Sequence, residues 1–478
     1  MKTSIPFDNS YERLPALFYK KIPLHEVADP TLLYFNDDLA ETLGLEAFNL
    51  KETGLQMFAG NQYPENASSI AQAYMGHQYG HLTMLGDGRA NLIGEVVNPQ
   101  GQRFDLQLKG SGPTPFSRGG DGRAALAPML KEYLFSEALH QLGIPSSRSL
   151  ALVTTGEDIY RQHPEAGAIL TRVMTSHLRV GTFTYAATAG TKEDLKALVD
   201  YAIKRHHPQV ANHPQPYHAF YEAVVKSQAE TVAKWLAYGF VHGVMNTDNM
   251  AISGETFDYG PCAMLDAFDV QAVFSSIDHH GRYAYGNQPA IALWNLHRLG
   301  EALMPLLREE GARTKSIFND ITDTYRQVFT ESYYQHLRAR LGLQAASKEN
   351  NQVAADFIAM LEKTSLDFHQ TFIDLTIGAL EEAPYQEALF QEWLAAWTAQ
   401  VIKERPLEEA RAEMKTINPS VVLRNYWVQR AIEEAQQGDF TLYERFYKAL
   451  KNPFSYDESH KAFGPIEMNQ PYVTFCGT

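Results

Sequence analysis

One short segment in the first third of the chain constrains the fold more than any other. It contains a Gly-Asp-Gly-Arg turn at Gly86–Arg89, a β-type pattern that ends on Lys109, and a helical pattern that carries Glu132. Apolar and polar residues alternate strictly over Arg103–Lys109, which is typical of a strand with two different faces. The segment therefore predicts a turn, a strand hairpin and a buried helix close together along the chain.

Composition narrows the class of protein. With 478 residues, of which 45% are hydrophobic and 12% aromatic, the chain can build a sizeable core, so disorder is not expected. The formal charge of -15 argues against binding to nucleic acid or anionic membranes, because both need an excess of Lys and Arg. The sequence lacks an apolar run of roughly 18 residues and an apolar signal core at its start. We therefore expect a cytoplasmic monomer.

Hydrophobic periodicity divides the chain into a β-containing part and a helical part. Residues 1–60 show no clear period, whereas strands are predicted at Leu92–Val97, Arg103–Lys109, Leu150–Thr155 and Ala168–Val173. From about residue 190 the spacing predicts helices over Tyr217–Phe240, Ile291–Leu307, Gln352–Leu375, Tyr385–Lys403 and Val421–Ala435. We therefore predict an α+β fold of two lobes, residues 1–185 and 186–478, with a cleft between them.

Lys109 and Glu132 are predicted to form an ion pair. The helical pattern over Ala125–Leu142 is apolar on nearly all sides, so this helix is expected to be buried. A carboxylate on a buried helix needs a cation partner, and Lys109 on the polar face of its strand is the natural one. In isolation Lys109 would be interpreted as a solvated strand residue. The pair favours a functional role, because protein kinases hold a nucleotide triphosphate with a glycine-rich loop, a strand lysine and a helix glutamate.

Two glycine-rich loops and two arginines are candidates for binding phosphate. Gly86 and Gly88 precede a strand, where a loop that covers phosphates belongs. The loop of Ser117–Arg123 precedes a helix, whose N-terminus favours negative charge. Arg172 and Arg179 follow within TRVMTSHLRVG. A Gly-x-Gly turn alone is usually only a turn, and either arginine alone is typical of the surface. Together with Arg89 and Lys109, however, the two arginines supply more positive charge than an ordinary kinase uses for phosphate.

The helical part supplies polar residues for a metal and a base. Asn249 and Asp258, together with phosphate oxygens, match the oxygen ligands that Mg²⁺ prefers. Asp258-Tyr259-Gly260 is similar to the Asp-Phe-Gly motif of kinases, but Val244 stands where a kinase has its catalytic aspartate. Asp248 is the only close substitute for that base. The alternative is that these polar residues only cap a turn.

Long stretches of the sequence match one family. FDNSYERLP, AYMGHQYGHLTMLGDGRA, LKGSGPTPFSRGGDGRAALAPMLKEYLFSEALHQLGIPSSRSLALVTTGE, HGVMNTDNM, DYGP, GRYAYGNQP and NPSVVLRNYWVQ closely resemble selenoprotein O, the YdiU-type protein adenylyltransferases. The resemblance implies a protein-kinase-like bilobal fold in which ATP lies flipped in the cleft. It also implies ATP binding by Gly86, Gly88, Arg89, Lys109, Asp121, Gly122, Arg172, Arg179 and Asp258, binding of Mg²⁺ or Mn²⁺ by Asn249 and Asp258, and proton acceptance by Asp248.

The predicted function is the transfer of AMP from ATP to Ser, Thr or Tyr hydroxyls of proteins, with release of pyrophosphate. Lys109, Arg172 and Arg179 lie where a kinase would need apolar surface for adenine, and they would instead hold the pyrophosphate. Three alternatives stay open: γ-phosphoryl transfer by a conventional kinase, UMP transfer from UTP, and a non-catalytic nucleotide-binding scaffold. The missing kinase base counts against the first alternative, and the intact Lys109, Glu132, Asn249 and Asp258 count against the last.

The two cysteines, Cys262 and Cys476, are too few for a disulfide framework or a zinc site. Cys476 stands where the family has selenocysteine. A disulfide between the two would pin the C-terminal tail across the cleft and respond to redox state. We expect instead a buried, apolar Cys262 and a free thiol at Cys476, because a reducing cytoplasm disfavours stable disulfides.

Overall fold

The computed structural model describes residues 5–311, 314–466 and 472–474. Its strands are β1 (Tyr19–Lys21), β2 (Thr31–Phe35), β3 (Ile70–Gln72), β4 (Met75–Gln78), β5 (His81–Met84), β6 (Ala90–Val97), β7 (Arg103–Lys109), β8 (Ala124–Ala125), β9 (Arg148–Tyr160), β10 (Pro164–Met174), β11 (Phe240–Val241) and β12 (Ala263–Met264). Its α-helices are α1 (Asp37–Thr42), α2 (Leu50–Thr53), α3 (Leu55–Phe58), α4 (Leu126–Gln141), α5 (Val180–Ala189), α6 (Lys192–His206), α7 (Pro216–Ala237), α8 (Gln288–Leu307), α9 (Thr314–Arg340), α10 (Lys348–Thr364), α11 (Phe368–Ile377), α12 (Ala388–Glu404), α13 (Leu407–Met414), α14 (Asn425–Gln436) and α15 (Thr441–Leu450). The order of elements confirms an α+β fold, with an antiparallel sheet in the first part and helices in the second.

The main sheet has the strand order β1-β3-β6-β7-β10-β9-β2, and β8 pairs with β10 beside this path. All neighbouring strands run antiparallel, so β7 and β10 lie side by side at its centre. Arg172 on β10 is the register partner of Gln107 on β7. Because directly opposite residues in an antiparallel pair share a face, Arg172 lies on the same face of the sheet as Gln107 and Lys109.

The alternation predicted for β7 is confirmed. Leu106 and Leu108 are fully buried in a core that the sheet forms with α1, α2 and α3. Asp105, Gln107 and Lys109 are also buried, but on the opposite face, which lies towards α4. Both faces of this central strand are therefore covered, one by apolar packing and the other by polar and charged contacts.

Helix α4 is buried on nearly all sides, as its sequence predicted. Its three buried charged side chains each have a partner. Glu137 accepts from Arg148 at 2.7 Å, Lys131 donates to the backbone oxygen of Gly260 at 2.8 Å, and Glu132 accepts from a lysine described below. Among the described residues, no helix is both long and apolar enough to span a bilayer.

One predicted helix, Gln352–Leu375, is wrong as a single element. Helix α10 ends at Thr364, and α11 begins at Phe368. Between them Ser365 adopts a left-handed φ of 50°, and the side chain of Asp367 accepts from the backbone nitrogen of Gln370 at 2.7 Å. A residue in the left-handed conformation ends the first helix and an aspartate N-cap starts the second. The other predicted strands and helices are confirmed with small shifts of their ends.

Residues 5–60 form more regular structure than their sequence pattern indicated. Strand β2 pairs with β9 at the edge of the main sheet, and α1 begins at an Asn36 N-cap. The Asn36 amide also donates to Glu137 on α4 at 2.7 Å. These elements have three to six residues each, which is too short for a helical or strand period to stand out in the sequence.

Candidate active site

Five of the predicted site residues come from five different parts of the fold. Strand β7 carries Lys109, helix α4 carries Glu132, and strand β10 carries Arg172. Arg179 is the N-cap residue of α5, and Asp258 lies in the segment between β11 and β12. Strands β7 and β10 thus face α4, the start of α5 and the Asp258 segment. The side chains of all five residues meet between these elements.

The predicted ion pair between Lys109 and Glu132 is confirmed. The Lys109 Nζ atom lies 2.5 Å from Glu132 Oε2 and 2.7 Å from Asp258 Oδ1. Lys109 is only 7% exposed, so the interpretation as a solvated strand lysine is wrong. Its ammonium group joins the strand, the helix and the Asp258 loop.

Arg172 is buried and joins the same carboxylates from the neighbouring strand. Its Nη1 atom lies 2.6 Å from Asp258 Oδ1 and 3.3 Å from Glu132 Oε1, and its Nη2 atom donates to Gln107 Oε1 at 2.6 Å. A charged group this deep in the protein is stable only with such partners. Lys109 and Arg172 therefore share one oxygen of Asp258.

Arg179 approaches Asp258 from the other side. Its guanidinium lies 3.6 Å from Asp258 Oδ2, 3.2 Å from Asp87 Oδ1, and 4.2 Å from the ring centroid of Tyr74. It also donates to the backbone oxygen of Asp248 at 3.1 Å. Burial opposes the charge, but Tyr74, Asp87 and the other acidic groups outweigh it and raise the pKa of Arg179 above its usual value.

Asp258 is the centre of this cluster. Burial alone would raise its pKa, but Lys109, Arg172 and Arg179 outweigh burial and hold the pKa well below its usual value. The carboxylate is therefore ionised. Its backbone has a φ of 63°, a conformation that non-glycine residues rarely adopt and that persists only where surrounding contacts enforce it.

Asn249 and Asp258, the predicted metal ligands, are neighbours. Asn249 Nδ2 donates to Asp258 Oδ2 at 3.4 Å. Among the residues that the structure describes, no group of three or more His, Cys, Asp or Glu side chains is placed to hold a metal ion. The pair still fits Mg²⁺ or Mn²⁺, because such ions are commonly held by one or two protein oxygens and complete their shell with water and substrate phosphates.

Asp248 lies beside the cluster and is capped by a side chain of the β4–β5 hairpin. The Gln78 amide nitrogen donates to both carboxylate oxygens of Asp248, at 2.9 Å each. Burial raises the pKa of Asp248 to about 6, with a further contribution from the charge of Asp258, while Arg179 acts in the opposite direction. The carboxylate is therefore a stronger base than an ordinary surface aspartate.

The two glycine-rich loops pack against each other. Gly86 has a φ of 133°, and a Cβ atom there would lie 2.4 Å from the ring of Phe116. The Ser117 hydroxyl donates to the backbone oxygen of Gly88. Arg89, which follows on the first loop, is half-buried. The two loops thus contact each other and form one surface next to the strands that carry the cations.

Asp121 pairs with an arginine that is not part of the cation cluster, and Gly122 packs against the backbone of Gly112. Asp121 is exposed, and its carboxylate forms a two-bond ion pair with Arg161 at 2.8 and 3.0 Å. The hydrogen bond from Arg161 lowers the pKa of Asp121. Gly122 has a φ of 64°, and a Cβ atom there would lie 2.0 Å from the backbone oxygen of Gly112. Binding of ATP by Asp121 and Gly122 stays a prediction.

Sequence reasoning missed Asp87, the central residue of the first glycine loop. It is buried and accepts from the backbone nitrogen of Gln72 at 3.1 Å, from the Gln107 amide at 3.1 Å and from Arg179 at 3.2 Å. The glycines on either side of it drew attention to backbone geometry rather than to the charge. Its position within Gly-Asp-Gly was the available signal.

A buried polar network behind the cation cluster was also missed. Asp105 lies 2.9 Å from His177 Nδ1 and 2.5 Å from Arg205, and Arg205 lies 3.0 Å from Glu95. Burial raises the pKa of Asp105, but Arg205 and His177 outweigh it and lower the value to about 2. Burial lowers the pKa of His177 to about 4. Asp105 shares its strand face with Lys109, and that alternation was the available signal.

The segment after Asp258 contacts the described part of the C-terminal tail. Cys262 is fully buried and donates to the backbone oxygen of Tyr259 at 3.3 Å, as expected for a small core residue. The Thr474 hydroxyl donates to the backbone oxygen of Pro261 at 3.0 Å. Cys476 lies outside the described residues, so its predicted free thiol stays a prediction.

The fold and the site together define an α+β protein in which three buried cations converge on the carboxylate of Asp258. The chain belongs to the family of the protein adenylyltransferase SelO, whose model matches residues 2–451. It is 48% identical over 483 residues to the protein nucleotidyltransferase YdiU of Bacillus cereus (strain B4264), which covers 100% of this chain and 99% of the relative. The protein of the same name from Clostridium perfringens (strain SM101 / Type A) is 48% identical, with 100% and 98% covered. That of Bacillus thuringiensis (strain Al Hakam) is 49% identical over 477 residues, with 98% of each chain covered. These relatives confirm the family resemblance seen in the sequence.

Proposed function

We propose that this enzyme transfers AMP from ATP to Ser, Thr or Tyr hydroxyls of proteins and releases pyrophosphate. The observation that carries the proposal is the convergence of Lys109, Arg172 and Arg179 on the carboxylate of Asp258. These three buried cations share one carboxylate and therefore lie close together. Such a group is suited to a polyphosphate, which carries several negative oxygens at similar spacing. Membership of the adenylyltransferase family supports AMP as the group transferred.

Phosphate oxygens would compete with Asp258 for its cations. Lys109 and Arg172 both contact Asp258 Oδ1, at 2.7 and 2.6 Å. Glu132 would keep both cations in place, since it contacts Lys109 at 2.5 Å and Arg172 at 3.3 Å. A bound triphosphate would thus take over donors that now point at Asp258, and the carboxylate would become available to a metal.

Asn249 and Asp258 are the residues that we propose hold Mg²⁺ or Mn²⁺. A metal bound there would neutralise negative charge on the phosphates and favour departure of pyrophosphate. The left-handed backbone of Asp258 and its 3.4 Å contact with Asn249 keep the two side chains on the same side of the site.

Asp248 is the proposed proton acceptor. Its pKa of about 6 leaves it ionised at neutral pH yet basic enough to take the proton of an attacking hydroxyl. Arg179 donates to its backbone oxygen at 3.1 Å and also faces Asp258 at 3.6 Å. The proposed base is therefore fixed relative to the cations by one arginine.

We also propose that the fold is kinase-like and bilobal, with residues 1–185 and 186–478 as the lobes. A strand lysine paired with a helix glutamate, Lys109 with Glu132, supports the assignment. The proposed boundary, between Tyr185 and Ala186, falls in the middle of α5. Gly86, Gly88, Arg89, Asp121 and Gly122 complete the proposed ATP-binding set.

Labelled nucleotides test the function. The purified enzyme is incubated with Mg²⁺ or Mn²⁺, a protein extract as acceptor, and ATP labelled on either the α- or the γ-phosphate. We expect α-label on protein and release of pyrophosphate. Transfer of the γ-label would instead establish a kinase, and α-labelled UTP in a parallel reaction reports UMP transfer. Absence of label on any protein would leave the scaffold alternative.

A further inference from the structure

Three consecutive residues of the β4–β5 hairpin bond three consecutive residues of the loop that carries the proposed base. The backbone nitrogen of His77 donates to the Thr247 hydroxyl at 2.8 Å, and that of Tyr79 donates to the Asn246 side chain at 3.0 Å. Gln78 lies between them in sequence, and its side chain donates to Asp248, the residue after Thr247. The hairpin is therefore fastened directly over the loop.

Gln78 donates to the Asp248 carboxylate, which an attacking hydroxyl must reach. Its amide nitrogen lies 2.9 Å from both Asp248 oxygens, which is the position and the donor role that an attacking hydroxyl would take. The approach is close, because a Cβ atom at Gly76 would lie 2.0 Å from Asp248 Oδ1, and one at Gly181 would lie 1.8 Å from the backbone oxygen of Met75. Water has little room between the hairpin and Asp248.

The hairpin is held by the loop of the proposed base and by ring contacts with Trp294 and Tyr283 rather than by the main sheet. Strands β4 and β5 form a sheet of their own, and within the described residues neither strand pairs with the main sheet. A two-stranded hairpin depends on such contacts, because on its own it is only marginally stable. On its outer strand, Leu82 and Met84 are 48% and 41% exposed. A polypeptide can replace the hydrogen bonds that the hairpin makes to the loop and cover this apolar surface, whereas a single water molecule can do neither.

We propose that Gln78 is a specificity-determining residue: it keeps water away from Asp248 until a protein acceptor displaces the hairpin. This inference rests on the proposed function. The reaction that Gln78 suppresses is hydrolysis of ATP. In it, a water oxygen bonds to the α-phosphorus, the bond from that phosphorus to the bridging oxygen breaks, pyrophosphate leaves with the bond electrons, and Asp248 takes the water proton. The product is AMP instead of a modified protein.

The test compares hydrolysis with transfer in one reaction. Wild type, Gln78→Leu and the control His81→Ala are incubated with metal, α-labelled ATP and acceptor protein, and labelled AMP and labelled protein are both quantified. His81 is the register partner of Gln78 and is exposed, so it is a matched control on the same hairpin. We expect the ratio of AMP to labelled protein to rise about tenfold in Gln78→Leu, which is the effect of losing one hydrogen bond to a charged group. The ratio in His81→Ala is expected to match wild type.

A second variant covers the possibility that Gln78→Leu does not fold. Gln78→Asn keeps the amide but is one methylene shorter, so it cannot hold both Asp248 oxygens, and its ratio is expected to rise as well. A ratio equal to that of wild type in a folded Gln78 variant would overturn the inference, since equal losses of both products indicate a purely structural role. The wild-type arm tests the proposed function separately: without α-label on protein there, the proposed function itself fails.

Discussion

Arg179 and Asp87 form a buried ion pair, with 3.2 Å between Nη2 and Oδ1, that joins the start of α5 to the first glycine loop. Burial raises the pKa of Asp87, and the charge of Arg179 opposes that rise. Because Asp87 also accepts from Gln72 and Gln107, it has a fixed position from which to orient the arginine. The glycine loop therefore contributes a charge as well as a turn.

Asp87→Asn is expected to weaken ATP binding. The amide can replace part of the hydrogen bonding but not the charge that orients Arg179, and loss of a hydrogen bond between charged groups costs roughly 10- to 100-fold in affinity. Titration calorimetry with ATP measures the effect. Asp37→Asn is the control, because Asp37 is exposed and its ion pair with Lys51 lies on the surface. Unchanged ATP affinity in Asp87→Asn would contradict a positioning role.

Lys109→Ala is expected to abolish transfer of the α-label while the protein stays folded. Lys109 contacts Glu132 and Asp258, but Arg172 also contacts both, so each carboxylate keeps a cation partner in the variant. Label transfer and far-UV circular dichroism are measured on the same preparation. Lys196→Ala, at a surface ion pair with Asp200, is expected to behave as wild type. A folded Lys109→Ala enzyme with full transfer would refute the phosphate-binding role.

Asp258→Asn is expected to separate metal binding from phosphate binding. Without the carboxylate, Lys109, Arg172 and Arg179 lose their shared anion and remain available to phosphate oxygens. We expect wild-type ATP affinity to increase on addition of Mg²⁺ and the affinity of the variant to be indifferent to it. Calorimetry with and without Mg²⁺ reports both values. If the variant keeps the metal response, Asp258 is not a metal ligand.

Stability is expected to fall as the pH decreases from about 6.5 towards 4, partly because of His177. Its pKa is about 4 in the folded protein, below the ordinary value of 6.5, so in this range the unfolded chain binds a proton that the folded one does not. The depressed pKa of Asp105, about 2, acts only at lower pH, since its contribution is present above 3.8 and is lost as the pH falls through 2.

Urea unfolding at pH 7 and pH 5 measures this contribution of His177. Between these values the wild type is expected to lose on the order of 2 kcal/mol more than His177→Gln, whose side chain stays neutral. The comparison with the variant removes the contribution of other histidines whose pKa is lowered, such as His206. Parallel losses in the two proteins would show that His177 titrates normally.

The sequence predicted the parts of the site that follow from local rules. Alternation along Arg103–Lys109 placed Lys109 on the polar face, and the apolar pattern of α4 required a partner for Glu132; both predictions are confirmed. Contacts that depend on tertiary folding were beyond such rules. Gln78 and Asp248 are 170 residues apart, and no period or motif links a hairpin glutamine to a distant loop.

Helix boundaries depended on caps rather than on period. The break at Ser365 follows from a left-handed residue and an aspartate cap within an otherwise continuous helical pattern. Asp87 shows the complementary error, because a residue within a turn motif was interpreted by its glycine neighbours although its own side chain is buried and charged. In both cases one side chain decided the local structure.

The contact between Thr474 and Pro261 has a consequence for synthesis on the ribosome. The two residues are 213 positions apart, so at roughly 5–20 residues per second the partner of the Pro261 segment is made about 10 to 40 s later. Until then Pro261 lacks the hydrogen bond from the Thr474 hydroxyl, and Ser275 lacks its isolated β-bridge to Thr474. The nascent protein therefore passes through a stage in which the sheet and its cations are present while the segment beyond Asp258 is still incomplete.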